Sequence, residues 1–116
     1  MNRLGGYRSA VQWPGCFDQF FPHVPATGVT TIGPHGAPAY FFLPDEFIAT
    51  LTEAGLSVIR LYGCNGLGAH LEEQHLLDLM EDQERWQVWR ELLLATADHP
   101  MIVGVSNHLL AVTKRA

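Results

Sequence analysis

The chain has 116 residues, 47% of them hydrophobic, with a net charge of −5 at neutral pH and only seven lysines and arginines. That is the size of one small domain, apolar enough for a packed core and too poor in basic blocks for nucleic acid or an anionic membrane to be its partner. Two cysteines outside any metal-type spacing, Cys16 and Cys64, and an opening text without a leader's apolar core lead us to expect a reduced, cytoplasmic chain, and no stretch nears the ~20 apolar residues of a membrane span.

Residues 1 to 12 carry two glycines and then a weakly helical YRSAVQW. The stretch from Trp13 to Tyr40, WPGCFDQFFPHVPATGVTTIGPHGAPAY, is rich in proline, glycine and aromatic residues. It predicts a short helix around Phe17 to Phe21 and then a long loop, and a loop of that length in a small domain is more often functional than idle. At Pro44 the texture changes. Proline at the first helical position, Asp45 and Glu46 in the first turn, and Phe47, Ile48, Leu51 and Ala54 on one face predict a helix that Gly55 stops.

LSVIRLYG, β-branched and apolar, follows as a strand ending at Gly63, and CNGLGA is a glycine-punctuated loop. Residues 70 to 80 and 84 to 97 read as two helices. The second places Val88, Trp89, Leu92, Leu93 and Thr96 on one side, with Arg85, Arg90 and Glu91 toward water. Pro100 ends it by disfavouring helix at the residue before. The last strand, HLLAVTK, is apolar at consecutive positions from His108 to Thr113, and a strand that reads this way is covered on both faces. No repeat, low-complexity tract or internal boundary appears in residues 1–116. The predicted order is helix, loop, helix, strand, two helices, strand.

YFFLPDEFIATLTEAGLSVIRLYGCNGL, QERWQVWRELLLATADHP and the final HLLAVTKR, in that order, resemble the C-terminal half of a class I S-adenosylmethionine-dependent methyltransferase of the bacterial, small-molecule type. MNRLGGYRSAVQW resembles the text that follows the family's fifth strand, so the resemblance covers nearly the whole chain. It implies an α/β fold, the C-terminal portion of a Rossmann-like methyltransferase sheet. The last two strands would form an antiparallel pair with flanking helices, and the final strand would slip between the fifth and sixth. On that reading 1–116 is a single partial domain, with 13–43 as an acceptor-side loop and 44–116 as helix-strand-helix-helix-strand.

The family's donor site needs a glycine-rich turn after the first strand and an acid after the second, and neither is present. S-adenosylmethionine is therefore the family's cofactor, with none expected for this chain alone. The implied partners are a small-molecule acceptor in the full-length family, and either a chain supplying the missing half or a second copy docked on the exposed sheet edge. A non-enzymatic interaction or dimerisation module derived from that fold is the alternative, and an unrelated small α/β enzyme built around the aromatic loop is a third reading.

In the resembled family the segment after the fifth strand often covers the methyl acceptor. The resemblance thus marks Tyr7, Trp13, Phe17, Phe20, His35, Tyr40 and Phe41 as acceptor-binding candidates, because aromatic walls exclude water and hold an acceptor in line. Ordinary core packing is the competing reading for the rings. Other constellations carry less. Gly63 to Gly68 is the nearest imitation of the family's donor-binding glycine-rich turn but lacks the helix start and the acid that should follow, so it reads as a connection. His70 and His75 are five apart, the wrong spacing for a shared metal on a helix, and no metal is expected. His108 reads as a satisfied histidine at a sheet end, with a catalytic base as its alternative. The carboxylates from Glu72 to Glu84 read as the wet side of two helices, with an acidic docking face behind that.

Overall fold

The computed structural model describes residues 1–13, 15–69 and 71–116. Three helices open the chain: α1 (Arg3–Gln12), α2 (Cys16–Phe20) and α3 (His23–Thr27). A hairpin, β1 (Val29–Ile32) and β2 (Ala37–Tyr40), follows, then α4 (Pro44–Glu53) and β3 (Leu56–Cys64). A 3₁₀ turn at Gly66–Gly68 leads to α5 (Glu73–Glu81), α6 (Gln83–Thr96), α7 (Pro100–Val105) and β4 (His108–Arg115). Among the described residues no helix is long and apolar enough to cross a membrane.

The predicted helix at 44 and the strands after Gly55 and at His108 form as the local signals require. In α4 the Glu46 carboxylate accepts the N–H of Leu43 at 3.1 Å, which satisfies an orphan donor of the first turn. Gly55, at φ 82°, turns the chain out of the helix. β3 and β4 pair antiparallel, from Leu56↔Arg115 to Cys64↔His108, with one register shift between Val58 and Arg60. The result is a mixed α/β molecule holding two separate two-stranded antiparallel sheets among its described residues.

Three expectations are corrected. The first is the long loop. Most of 13–43 is ordered into α2, α3 and the β1–β2 hairpin, because Gly33 and Gly36, at φ 74° and 64°, turn VTTI back onto APAY. Four-residue strands with a proline inside, Pro38, give too short a signal to separate from loop. The second concerns 100–105, where the predicted order has no helix between the one that Pro100 ends and the last strand. It is a helix, since the residue that stops α6 also suits the first position of the next helix, and Nδ1 of His99 caps the N–H of Met101 at 3.2 Å. The third concerns burial. Leu110 and Val112 are 55% and 44% exposed, so the strand expected to be covered on both faces is covered on one.

Opposed residues of an antiparallel pair share a face. Gly63 with Leu109, Leu61 with Ala111 and Val58 with Thr113 lie on the covered face. There α7 backs the strands so closely that a Cβ on Gly63 would strike the Ser106 side chain and the Ile102 carbonyl. Tyr62 with Leu110 and Arg60 with Val112 lie on the other face, where β4 is bare. Among the described residues, β4 pairs with β3 and with no other strand. Helix α6 also departs from its predicted orientation, with Val88 67% and Leu92 44% exposed, while Leu93 faces the body near Gly66.

The core is correspondingly small. Its principal cluster is Ala10, Phe20, Val24 and Phe41, with Val103 buried apart from it. The accessible surface is 7970 Å², about 1,700 Å² more than a compact chain of this mass presents by the usual scaling. The radius of gyration is 16.0 Å, against about 13 Å for a compact fold of this length. A slab 43 × 42 × 24 Å with one bare sheet face accounts for both.

Arg3 joins the two halves of the slab. Its side chain is 8% exposed, and it donates to Glu46 Oε2 at 2.7 Å and to the Phe41 carbonyl at 2.9 Å. We expect Arg3→Ala to lower unfolding free energy by about 2–4 kcal/mol in urea titration, since it orphans a buried acceptor and the partly screened Glu46 carboxylate. Arg3→Lys should recover only part of this, because an ammonium cannot span both acceptors as the guanidinium fork does.

Candidate functional site

The sequence between Met1 and Ser9 places a glycine pair and a serine on one side of α1. Gly5 packs on the Ser106–Asn107 backbone, and Gly6 lies against the rings of Phe20 and Phe41. With no side chain at either position, α1 approaches both the amino end of β4 and the aromatic pair. A cavity of about 170 Å³ remains there, walled by Gly5, Gly6, Phe20 and Phe41 and rimmed by Ser9, Asn107 and His108. His108 is paired with Cys64, so this cavity sits at the carboxyl end of β3. Its two aromatic walls beside polar groups make this hollow the candidate site.

The seven acceptor candidates fall into separate places. Phe20 and Phe41, 8% and 5% exposed, meet edge-to-face at 4.8 Å and form the cavity's apolar wall. Tyr7 packs against the same cluster with its ring 5.7 Å from Phe21, and lines an adjacent groove with Arg8, Val11 and Gln12. Phe17 stacks on Phe21 at 4.9 Å but is 55% exposed, and Trp13 is 65% exposed. Tyr40 is turned away from the cavity. Its ring packs on Phe42 at 4.5 Å and its hydroxyl donates to Glu46 at 3.4 Å. His35 is exposed in the turn between β1 and β2. The fold thus brings Phe20, Phe41 and Tyr7 together and leaves Trp13, Phe17, His35 and Tyr40 outside the cavity.

The glycine pair, Ser9 and Asn107 were missed as site residues. The signal was present: Gly5, Gly6 and Ser9 share one side of a helix, and small residues on one side mark close approach. The polar frame behind the cavity was not legible at all. Asn2 is wholly buried; its Nδ2 donates to the carbonyls of Val103 at 2.9 Å and Gly104 at 3.1 Å, while its Oδ1 has no partner. Arg8 reaches the Val105 carbonyl and Asn107 Oδ1, and partial burial holds its guanidinium below its usual value. At the far edge of the sheet Arg60 hydrogen-bonds Asp98 at 2.7 Å, and chiefly that bond raises its own value.

The chemistry available is that of binding. The cavity offers two aromatic walls, two backbone-lined sides and a rim of hydroxyl, amide and imidazole. This suits a small apolar or aromatic group with one polar atom at the mouth. Among the described residues no three His, Cys, Asp or Glu side chains come together as a metal site, and His70 lies outside the described residues.

Truncation separates core from surface within the candidate set. Phe41→Ala should cost about 3–5 kcal/mol in chemical denaturation, whereas Trp13→Ala should fall within about 0.5 kcal/mol of the parent.

The sequence matches no family model, and no curated protein or solved structure is significantly similar to the chain, so the functional reading rests on the residues and their geometry.

Proposed function

We propose that this chain is the acceptor-side part of an S-adenosylmethionine-dependent methyltransferase fold, in which the 170 Å³ cavity at the carboxyl end of β3 receives the methyl acceptor. The observation that carries this reading is β4 itself. It is apolar along both faces, runs antiparallel to β3, and leaves its outer edge unpaired among the described residues. In the resembled family the final strand is antiparallel to its sixth-strand neighbour and takes another strand on its other side. A β3–β4 pair with a free β4 edge is the arrangement such a sheet requires.

The site chemistry agrees with that role. Methyl transfer is an in-line displacement at carbon, and the enzyme's contribution is to hold the acceptor atom and keep water away. Phe20 and Phe41 supply a dry wall, while Ser9, Asn107 and His108 lie where an acceptor's polar atom would enter. A donor-binding segment on the β4 edge would close the open side. The methyl donor supplies the electrophilic carbon; the residues here bind and orient.

A second reading is favoured by the surface excess of about 1,700 Å², which is the area of an obligate interface. On that reading the chain is an interaction module whose β4 edge pairs with another copy.

Calorimetric titration of the chain alone with S-adenosylmethionine should show no heat of binding. Joining the first five strands of a small class I methyltransferase ahead of Met1 should produce micromolar donor binding and slow hydrogen exchange at the outer-edge amides of β4. Micromolar donor binding by the chain alone would overturn the reading, as would β4 amides that stay unprotected in the joined protein. If β4 instead pairs with its own kind, those amides become protected with rising concentration, alongside dimers in sedimentation.

A further inference from the structure

Helices α5 and α6, joined through Asp82 alone, form a hairpin that contributes no buried residue to the molecule. Nine and fourteen residues are short for helices that hold themselves together in water, where packing of an apolar face supplies most of the stability. Their apolar side chains are nevertheless plentiful and wet. Leu77, Met80, Val88 and Leu94 are 47%, 51%, 67% and 73% exposed. On α6, Arg85, Val88, Trp89 and Leu92 follow the three- and four-residue spacing of one helical face. Together with Leu79 of α5 and Glu84 they line an elongated cleft of about 410 Å³. The indole Nε1 of Trp89 is buried and has no hydrogen-bond partner among the described residues.

The charge of the molecule is concentrated at the same place. Between Glu72 and Glu91 lie seven carboxylates and two arginines, which is the whole net charge of −5; elsewhere five acids and five bases cancel. Of the nine charged side chains on this hairpin, Arg85 and Asp82 pair with each other at 3.4 Å. Glu91 is held by Gln87 at 2.9 Å and Asp78 by Gln74 at 2.8 Å, both bonds on exposed surface. The cleft's own charged lining is Glu84 and Arg85, and Arg85 is already paired with Asp82; the hairpin that carries the cleft keeps its net charge of −5, which disfavours a second copy of itself and an anionic membrane alike.

We propose that the α5–α6 cleft is a docking site for a basic amphipathic helix of a partner protein. Its apolar face would lie on Leu79, Val88, Trp89 and Leu92, and its lysines or arginines against the surrounding carboxylates. This is the helix-in-groove mode, with anchors at helical spacing giving affinity and the charges giving rate and orientation. The occupant is the same whether or not the chain takes part in methyl transfer.

The test uses the full chain and a fluorescein-labelled peptide of about 18 residues, built of leucine and lysine in amphipathic helical order. Two controls accompany it: the same composition scrambled so that no apolar face forms, and a leucine–glutamate peptide with the face intact. By anisotropy the amphipathic basic peptide should bind at least tenfold more tightly than either control. Binding should weaken steeply as salt rises from about 50 to 500 mM, as screening of exposed charges requires. The emission of Trp89 should shift in a background carrying both Trp13→Phe and Trp86→Phe.

Val88→Gln with Leu92→Gln changes no charge and alters exposed positions. It should remove the tenfold preference while leaving scrambled-peptide binding untouched. Glu81→Gln with Glu84→Gln should lower affinity severalfold and flatten the salt dependence without touching the apolar wall. Leu110→Gln, on the bare sheet face, should leave peptide binding unchanged. Equal binding of the scrambled peptide would overturn the proposal, leaving an acidic surface only. So would equal binding of the leucine–glutamate peptide, or a dimer in sedimentation that Val88→Gln with Leu92→Gln dissociates.

Discussion

A strand that is apolar on both faces requires a covering layer above, another below, and a neighbour along each edge. Strand β4 has one of each. The covered face of its sheet meets α7 through Gly63 of β3 and Ser106, and its paired edge meets β3 over Leu56 to Cys64. The other face shows Leu110 and Val112 to water. Each exposed side chain of this size forgoes roughly 1.5–3 kcal/mol of burial, and unpaired edge amides are a template for further strands. That imbalance enlarges the surface and shrinks the core, and the wet α5–α6 hairpin adds to both effects. Both functional readings are ways of relieving it.

Beside this two-stranded sheet the chain builds one closely tied corner. Arg3 holds the carbonyl of Phe41 and the carboxylate of Glu46, and Glu46 also accepts the Leu43 N–H and the Tyr40 hydroxyl. One guanidinium thereby fixes α1, the end of the hairpin and the first turn of α4 together. Asn2 does the same toward α7 through the carbonyls of Val103 and Gly104. These ties position Gly5 and Gly6 against Phe20, Phe41 and the start of β4, and the cavity is what remains between them. Stability and site have a common origin: the residues that lock the corner also leave its hollow.

Toward the other end, α5 and α6 have helical sequence without helical burial. Leu93 faces the body, but the stripe of Val88 and Leu92, with Glu84 beside it, has nothing laid against it among the described residues. The expected wet side of two helices is real, since the carboxylates are exposed. The expected core side holds only in part: Trp89, Leu93 and Thr96 are half-buried, while Val88 and Leu92 face outward. The period of a pattern identifies a helix and its apolar stripe; whether anything lies against that stripe is a property of the assembly.

What the sequence determined by itself is local. Pro44, Asp45 and Glu46 begin α4 and Gly55 ends it; β-branched runs make β3 and β4. These signals are complete within a few residues, because capping, proline geometry and side-chain crowding act over one turn or one pleat. Tertiary structure decided what distance in the chain conceals. It decided that Arg3 meets Glu46, that Asn2 reaches Val103, that Phe20 and Phe41 face each other while Trp13 and His35 stay in water, and that β4 is covered on one side. The reason is that burial and pairing are relations between segments brought together from far apart, and no stretch of sequence specifies its partner alone.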